Sequence, residues 1–272
     1  MWISALVTIL NLALAAAVGL RLLARAGQRE SGPERWLAGY FLCGALLGSG
    51  INIAVYSSLG EGGLALDPTL TTRLLMLSTF ANGFAGSCIY VFTWRTFRPD
   101  EAWAASLVWI GACLFATTWL FQAATGEFVI RVFPGPAYWL ERLTFTGAFA
   151  WAAAESLHYY RALGRRLRIG LGEPGLQSRF GLWALWASAT GALALSDLAA
   201  RTAYYWKTGE ATVLQVEQAM PIIVATVAVT AVIGSVAAAS LWLTFFPTRR
   251  YLRWVEARAI RAGVPRSTPL RP

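Results

Sequence analysis

Asp197 and Arg201 stand four residues apart inside an apolar run, the separation at which a carboxylate and a guanidinium meet on one face of a helix. Helical angles bring Trp183, Trp186, Thr190 and Tyr204 onto that face, so an acid, a cation, a phenol and two indoles look the same way. An ionisable group within a membrane helix costs about 2.5–3.5 kcal/mol on insertion scales, and so marks either a ligand site or an inward-facing structural pair. Asp197 would lie ~26 Å along its helix from Phe180. Arg73, Asn52, Glu141 and Glu217 fall at similar depth on other segments. Together these residues predict a ligand cavity with an ionic and aromatic outer part, plugged on its inner side by Trp183 and Trp186.

A second candidate is Glu155 with His158 one turn below it. The two either form a proton-accepting pair near the inner mouth of the bundle or snorkel towards Arg161 and Arg165. Glu141 also suits the positive end of a helix dipole. Asn82 with Ser78 and Gly86, and Thr226 with Thr230 and Gly234, form stripes of small or polar residues that read as close helix contacts.

Enzymatic and cofactor chemistry finds no foothold. His158 is the single histidine, which excludes a bis-histidine haem or a multi-histidine metal centre made from this chain alone. Cys43, Cys88 and Cys113 are odd in number, lie within apolar runs and have no CxxC spacing. There is no nucleophile elbow, P-loop or dinucleotide fingerprint. No catalytic residue, metal or cofactor is expected.

The elements that must position these residues are membrane helices. Hydrophobic residues make up 57% of the 272, charged residues 14%, and the mean hydropathy is +0.51. A bilayer core of ~30 Å takes about 20 helical residues to cross, and only helices or closed barrels satisfy their own backbone there. Apolar stretches of this length fall at 2–24, 36–59, 71–94, 101–124, 138–160, 180–205 and 218–244, which predicts an all-α bundle of seven transmembrane helices. The first carries its arginines after the apolar run, the reverse of a secretory signal, and reads as a retained helix.

The net charge of +9 rests on 22 arginines and one lysine, Lys207. They cluster after the first, third, fifth and seventh stretches, which the positive-inside rule places in the cytoplasm, with the N-terminus outside. Such clustering at helix ends argues against nucleic acid as a partner. Residues 1–247 are expected to form the membrane domain and 248–272 a basic cytoplasmic tail with a short interfacial helix. That tail offers a docking site for a membrane or cytoplasmic protein. The Arg-, Ala- and Leu-rich composition suggests a bacterial inner membrane as the address.

GSCIYVFTWRTFRP at 86–99 and GSVAAASLWLTFFP at 234–247 share Gly, Ser, Trp, Thr, Phe and Pro at one constant offset. They are the ends of the third and seventh stretches, which suggests a parallel three-plus-one-plus-three repeat with the fourth as linker. Convergence of two exit helices on a belt Trp and a terminal Pro explains the same match. At the level of topology the layout resembles the sugar-exporter and PQ-loop families and the microbial rhodopsins. The PQ dipeptides are absent, and no lysine lies in the seventh stretch to hold retinal. The leading expectation is a receptor-like or accessory protein that binds a small or lipid-like molecule in an outer-half cavity. A small-solute or proton-coupled transporter is the alternative, and a structural subunit of a membrane complex the third reading.

Overall fold

The computed structural model describes residues 2–29, 32–58, 66–128, 135–169, 171–208 and 216–261. All regular structure among them is helical: α1 (Trp2–Arg29), α2 (Gly32–Gly39) running through a π-helical segment (Tyr40–Gly48) into α3 (Ser49–Ser58), α4 (Pro68–Phe97), α5 (Ala102–Thr125), α6 (Pro136–Arg168), α7 (Pro174–Thr208), α8 (Val216–Phe245) and α9 (Arg249–Arg261). Six helices, counting α2 to α3 as one rod, are long and apolar enough to cross a membrane, which makes this a multi-pass membrane protein in outline. The stretch at 138–160 is helical, as α6, but does not reach that apolarity. Its polar residues point into protein instead: Glu141, Thr144, Glu155 and Ser156 are all buried.

Local chemistry sets the helix ends. Asp67 caps α4 by accepting from Leu70 N at 3.1 Å, with Pro68 at the first position, where its missing donor costs nothing. Gly126, at φ 67°, closes α5 in the left-handed conformation that favours glycine. α6 starts at Pro136 and runs on to Arg168, so the arginines at 161, 165 and 166 extend a helix instead of forming a loop. α8 starts at Val216, which puts Pro221 in the helix interior.

Short connections make successive long helices antiparallel. The rod of α2, π segment and α3 lies against α1 and α4; α6 packs on α4 and α7; α7 packs on α8; and α8 returns to α1, closing a ring. α5 packs on α4 and α6 from outside that ring. The rod and α4 approach one another closely. A methyl at Gly44 would come within 2.4 Å of Ala85 Cβ, and one at Gly48 within 2.7 Å of the Asn82 amide. Ser78 Oγ, fully buried, donates to the Gly48 carbonyl at 2.9 Å. The Ser78, Asn82 and Gly86 stripe is thus largely a packing surface, with Gly86 against the Phe115 ring.

Trp94 and Trp242, matched in the repeated motif, sit differently. The Trp94 indole nitrogen is buried, whereas Trp242 is exposed and stacked on Phe246. The π-helical segment also has no counterpart in α7, which is α-helical throughout. α9 folds back on α7 through Tyr251, whose hydroxyl hydrogen-bonds Ser178 Oγ, and through buried Val255.

Candidate functional site

Inside the ring, in its arginine-poor half, lies a cavity of about 590 Å³. Ligand cavities commonly span about 300–1,000 Å³. The rod and helices α4 to α8 all bring residues to it, α8 through Thr230. The π segment and α3 contribute Tyr40, Ser49 and Asn52; α4 contributes Thr79 and Asn82; α5 contributes Gln122; α6 contributes Tyr138, Glu141, Arg142 and Phe145; and α7 contributes Thr190, Asp197 and Arg201. A π turn inserts an extra residue into the helical repeat and re-aims the side chains around it, and such turns are frequent at functional sites. Here it accompanies the placing of Tyr40, Gly44, Ala45 and Ser49 on one wall.

Asp197 is the organising acid. It accepts from Tyr138 OH at 2.7 Å and from Arg201 Nε at 3.2 Å to each oxygen. The guanidiniums of Arg142 and Arg201 lie 5.0 and 5.3 Å from the Tyr138 ring centre, so both cations approach one phenol. Each charged hydrogen bond is worth about 1.5–3 kcal/mol against an unsatisfied partner. Asp197 therefore holds Tyr138 and Arg201 in place. The Asp197 side chain retains 42% of its exposure, on the cavity side, so the pair is not dry.

Glu141 lies in the second turn of α6, is buried, and accepts from Gln122 Nε2 at 3.1 Å. That bond ties α5 to α6, a role beyond the helix-dipole reading of the sequence.

Below the polar wall the cavity ends on aromatic rings. Tyr40 meets Phe149 and Trp186 at 5.5 and 5.6 Å between ring centres, Phe145 meets Phe149 at 5.0 Å, and Trp183 meets Trp186 at 4.5 Å. Trp183 and Trp186 do not line the cavity themselves; they lie behind Tyr40, one layer deeper.

No protein-family model, curated protein or solved structure matches the chain. The residues of the site therefore carry the functional reading by themselves.

Of the residues singled out from sequence, Asp197, Arg201, Glu141 and Asn52 reach the cavity together. Arg73 does not. It is exposed, because the α4 face that turns inward runs through Leu75, Thr79 and Asn82, and Arg73 is about 200° from Leu75 around the helix. The side chains of Tyr204 and Glu217 lie outside the described residues. Thr230, read as a contact residue, is exposed and lines the cavity from α8.

Glu155 and His158 separate. Glu155 is buried and pairs with Arg98 at 2.9 Å, with the Trp151 indole at 3.4 Å, and not with His158, Arg161 or Arg165. His158 is exposed, one hundred-degree step per residue having carried it off the inner face. The hydrogen bond and charge of Glu155 raise the pKa of Arg98, at the end of α4, above its ordinary value.

Sequence reasoning passed over Tyr138, Gln122 and the role of Arg142. Tyr138, Arg142 and Phe145 form an i, i+4, i+7 stripe that was visible, but the neighbouring face through Glu141 drew the reading. Among the described residues no group of three metal-ligating side chains occurs.

Proposed function

We propose that this chain is a seven-helix protein of a bacterial inner membrane, N-terminus outside, that binds a small or lipid-like molecule in an outer-half cavity and acts as a receptor or accessory subunit. Six apolar helices support part of that count. α6 joins them as the seventh crossing because it is wrapped by α4, α5 and α7 and turns its polar residues inward, where hydropathy undervalues it. Arginine asymmetry supports the orientation.

The observation that carries the binding reading is the blind end of the cavity. A polar wall of Asp197, Arg201, Tyr138 and Asn52 opens in one half, and stacked Tyr40, Phe149, Trp186 and Trp183 fill the space beneath it. Glu155 lies beyond that layer, about ten residues or ~15 Å further along α6 than Phe145, and does not line the cavity. A transporter needs access from both faces.

The test is a single cysteine, Asn52→Cys, in a background with Cys43, Cys88 and Cys113 changed to Ala. A membrane-impermeant maleimide should label it in right-side-out cells and fail in inside-out vesicles. Labelling from both sides would put the transporter first. Labelling from neither would remove the water-filled cavity and the reading with it.

A further inference from the structure

Arg142 is a cation inside the bundle whose charge is felt by Asp197 and Glu141 and whose guanidinium lies over the Tyr138 ring, but which holds no carboxylate directly. Among the described residues it makes no ion pair and no side-chain hydrogen bond, and its Nε is sealed from solvent with no partner. Carboxylates around it are engaged elsewhere: Asp197 is held by Tyr138 and Arg201, and Glu141 by Gln122. Glu127 lies against Gly135 at the start of α6 and lines the same cavity, but makes no ion pair with Arg142. An unpaired guanidinium in a membrane interior is costly, and buried polar groups left without a partner call for an unseen one. Arg142 lines the cavity, so a bound molecule has access to it.

Beyond Arg142, Arg201, Asp197, Glu141 and Glu127 the lining is apolar or neutral. Ala45, Ile53, Leu75, Phe145, Leu193 and Ala194 share the cavity with the ionic cluster. Ile53 on α3 is 40% exposed, and Thr230 on α8 is also exposed, yet both line the cavity. Ile53, Leu75, Phe145 and Leu193 give the cavity an apolar flank beside its charged wall. Fixed charge at one wall and an apolar flank define an amphiphile.

We infer that the cavity takes an anionic amphiphile: one carboxylate or phosphate group held by the Arg142 guanidinium, with Tyr138 beneath it and an alkyl chain against Ile53, Leu75 and Leu193. Resting on the binding reading above, this names the class of ligand. A guanidinium matches either oxyanion with paired N–H donors, so a free fatty-acid-like anion and an anionic phospholipid share the chemistry.

The experiment uses full-length protein in an uncharged maltoside detergent and measures direct binding and thermal stability. Probes are dodecanoate, dodecyl phosphate, dodecanol, inorganic phosphate and, in nanodiscs, phosphatidylglycerol against phosphatidylcholine. Dodecanoate or dodecyl phosphate should bind wild type at least tenfold more tightly than dodecanol and raise its melting temperature. Arg142→Gln should still show a cooperative melting transition without ligand and should lose that tenfold preference. Arg142→Lys should keep part of it.

A greater thermal gain in phosphatidylglycerol discs, absent in Arg142→Gln, identifies the source as phospholipid; gain from the single-chain anions alone identifies it as a free acid. Equal binding of dodecanol and dodecanoate to wild type would overturn the anion assignment and leave the cavity reading standing. Inorganic phosphate matching dodecyl phosphate would overturn the amphiphile. Binding of no probe would overturn both this inference and the cavity reading.

Discussion

Tyr138 and Asp197 show how much a single hydroxyl organises. Removing it in Tyr138→Phe leaves one Asp197 oxygen with fewer donors and loosens a ring that two guanidiniums approach. The expected loss is about 1–2 kcal/mol, read as a lower melting temperature in detergent. Asp197→Ala should cost more than the double change Asp197→Asn with Arg201→Gln, because the single change strands Arg201 beside Arg142. A dry pair broken this way costs about 3–5 kcal/mol, but Asp197 faces the cavity, and water there reduces the figure to about 1–2 kcal/mol. Wild-type stability in Asp197→Ala would mean that the pair holds nothing together. Asp197 and Arg201 were legible because i, i+4 spacing is a property of one helix. Tyr138 was not, since its partner lies 59 residues away and only packing of α6 on α7 brings the hydroxyl to the acid. Glu155 repeats the lesson: its cation, Arg98, comes from the end of α4, whereas the sequence offered only neighbours on its own helix.

At the scale of elements, helix positions were legible from apolar length alone, while the π-helical segment was not. YFLCGALLG carries no proline or charge that would announce a widened turn. Its trace is the spacing of the contact glycines, five residues from Gly39 to Gly44 and then four to Gly48, each against α4 at Cys88, Ala85 and Asn82. An unbroken α-helix would carry Gly39 and Gly44 to faces about 140° apart. Gly44→Ala places its methyl 2.4 Å from Ala85 Cβ, backbone-anchored on both sides, so the rod and α4 must move apart. The expected destabilisation is about 1–3 kcal/mol, the range for an overpacked core. Gly50, with open space around its added methyl, is the control and should tolerate alanine. Equal melting temperatures for Gly44→Ala and Gly50→Ala would show that the contact is not tight.

For the whole molecule, α6 decides the topology by parity. Six crossings return the chain to the side on which it began; seven leave it on the other. If α6 did not cross, α7 and α8 would reverse, and the arginines after the seventh stretch would lie on the side opposite Arg95 and Arg98, against the positive-inside rule. α6 is also too central to lie on a surface: Ala148, Phe149 and Ala152 are fully buried, and it forms the cavity wall opposite the π segment. Its 33 residues span about 50 Å, enough to cross and still carry its arginines beyond the hydrocarbon. Hydropathy would miss such a crossing because it weighs residues as though lipid surrounded each one, whereas Glu141, Thr144, Glu155 and Ser156 are buried in protein. Paired fusions of a cytoplasm-active reporter, one before Met1 and one after Pro272, should give signal only at the C-terminal position. Signal at both ends, or at neither, would mean an even number of crossings and would move α6 out of the membrane-spanning set.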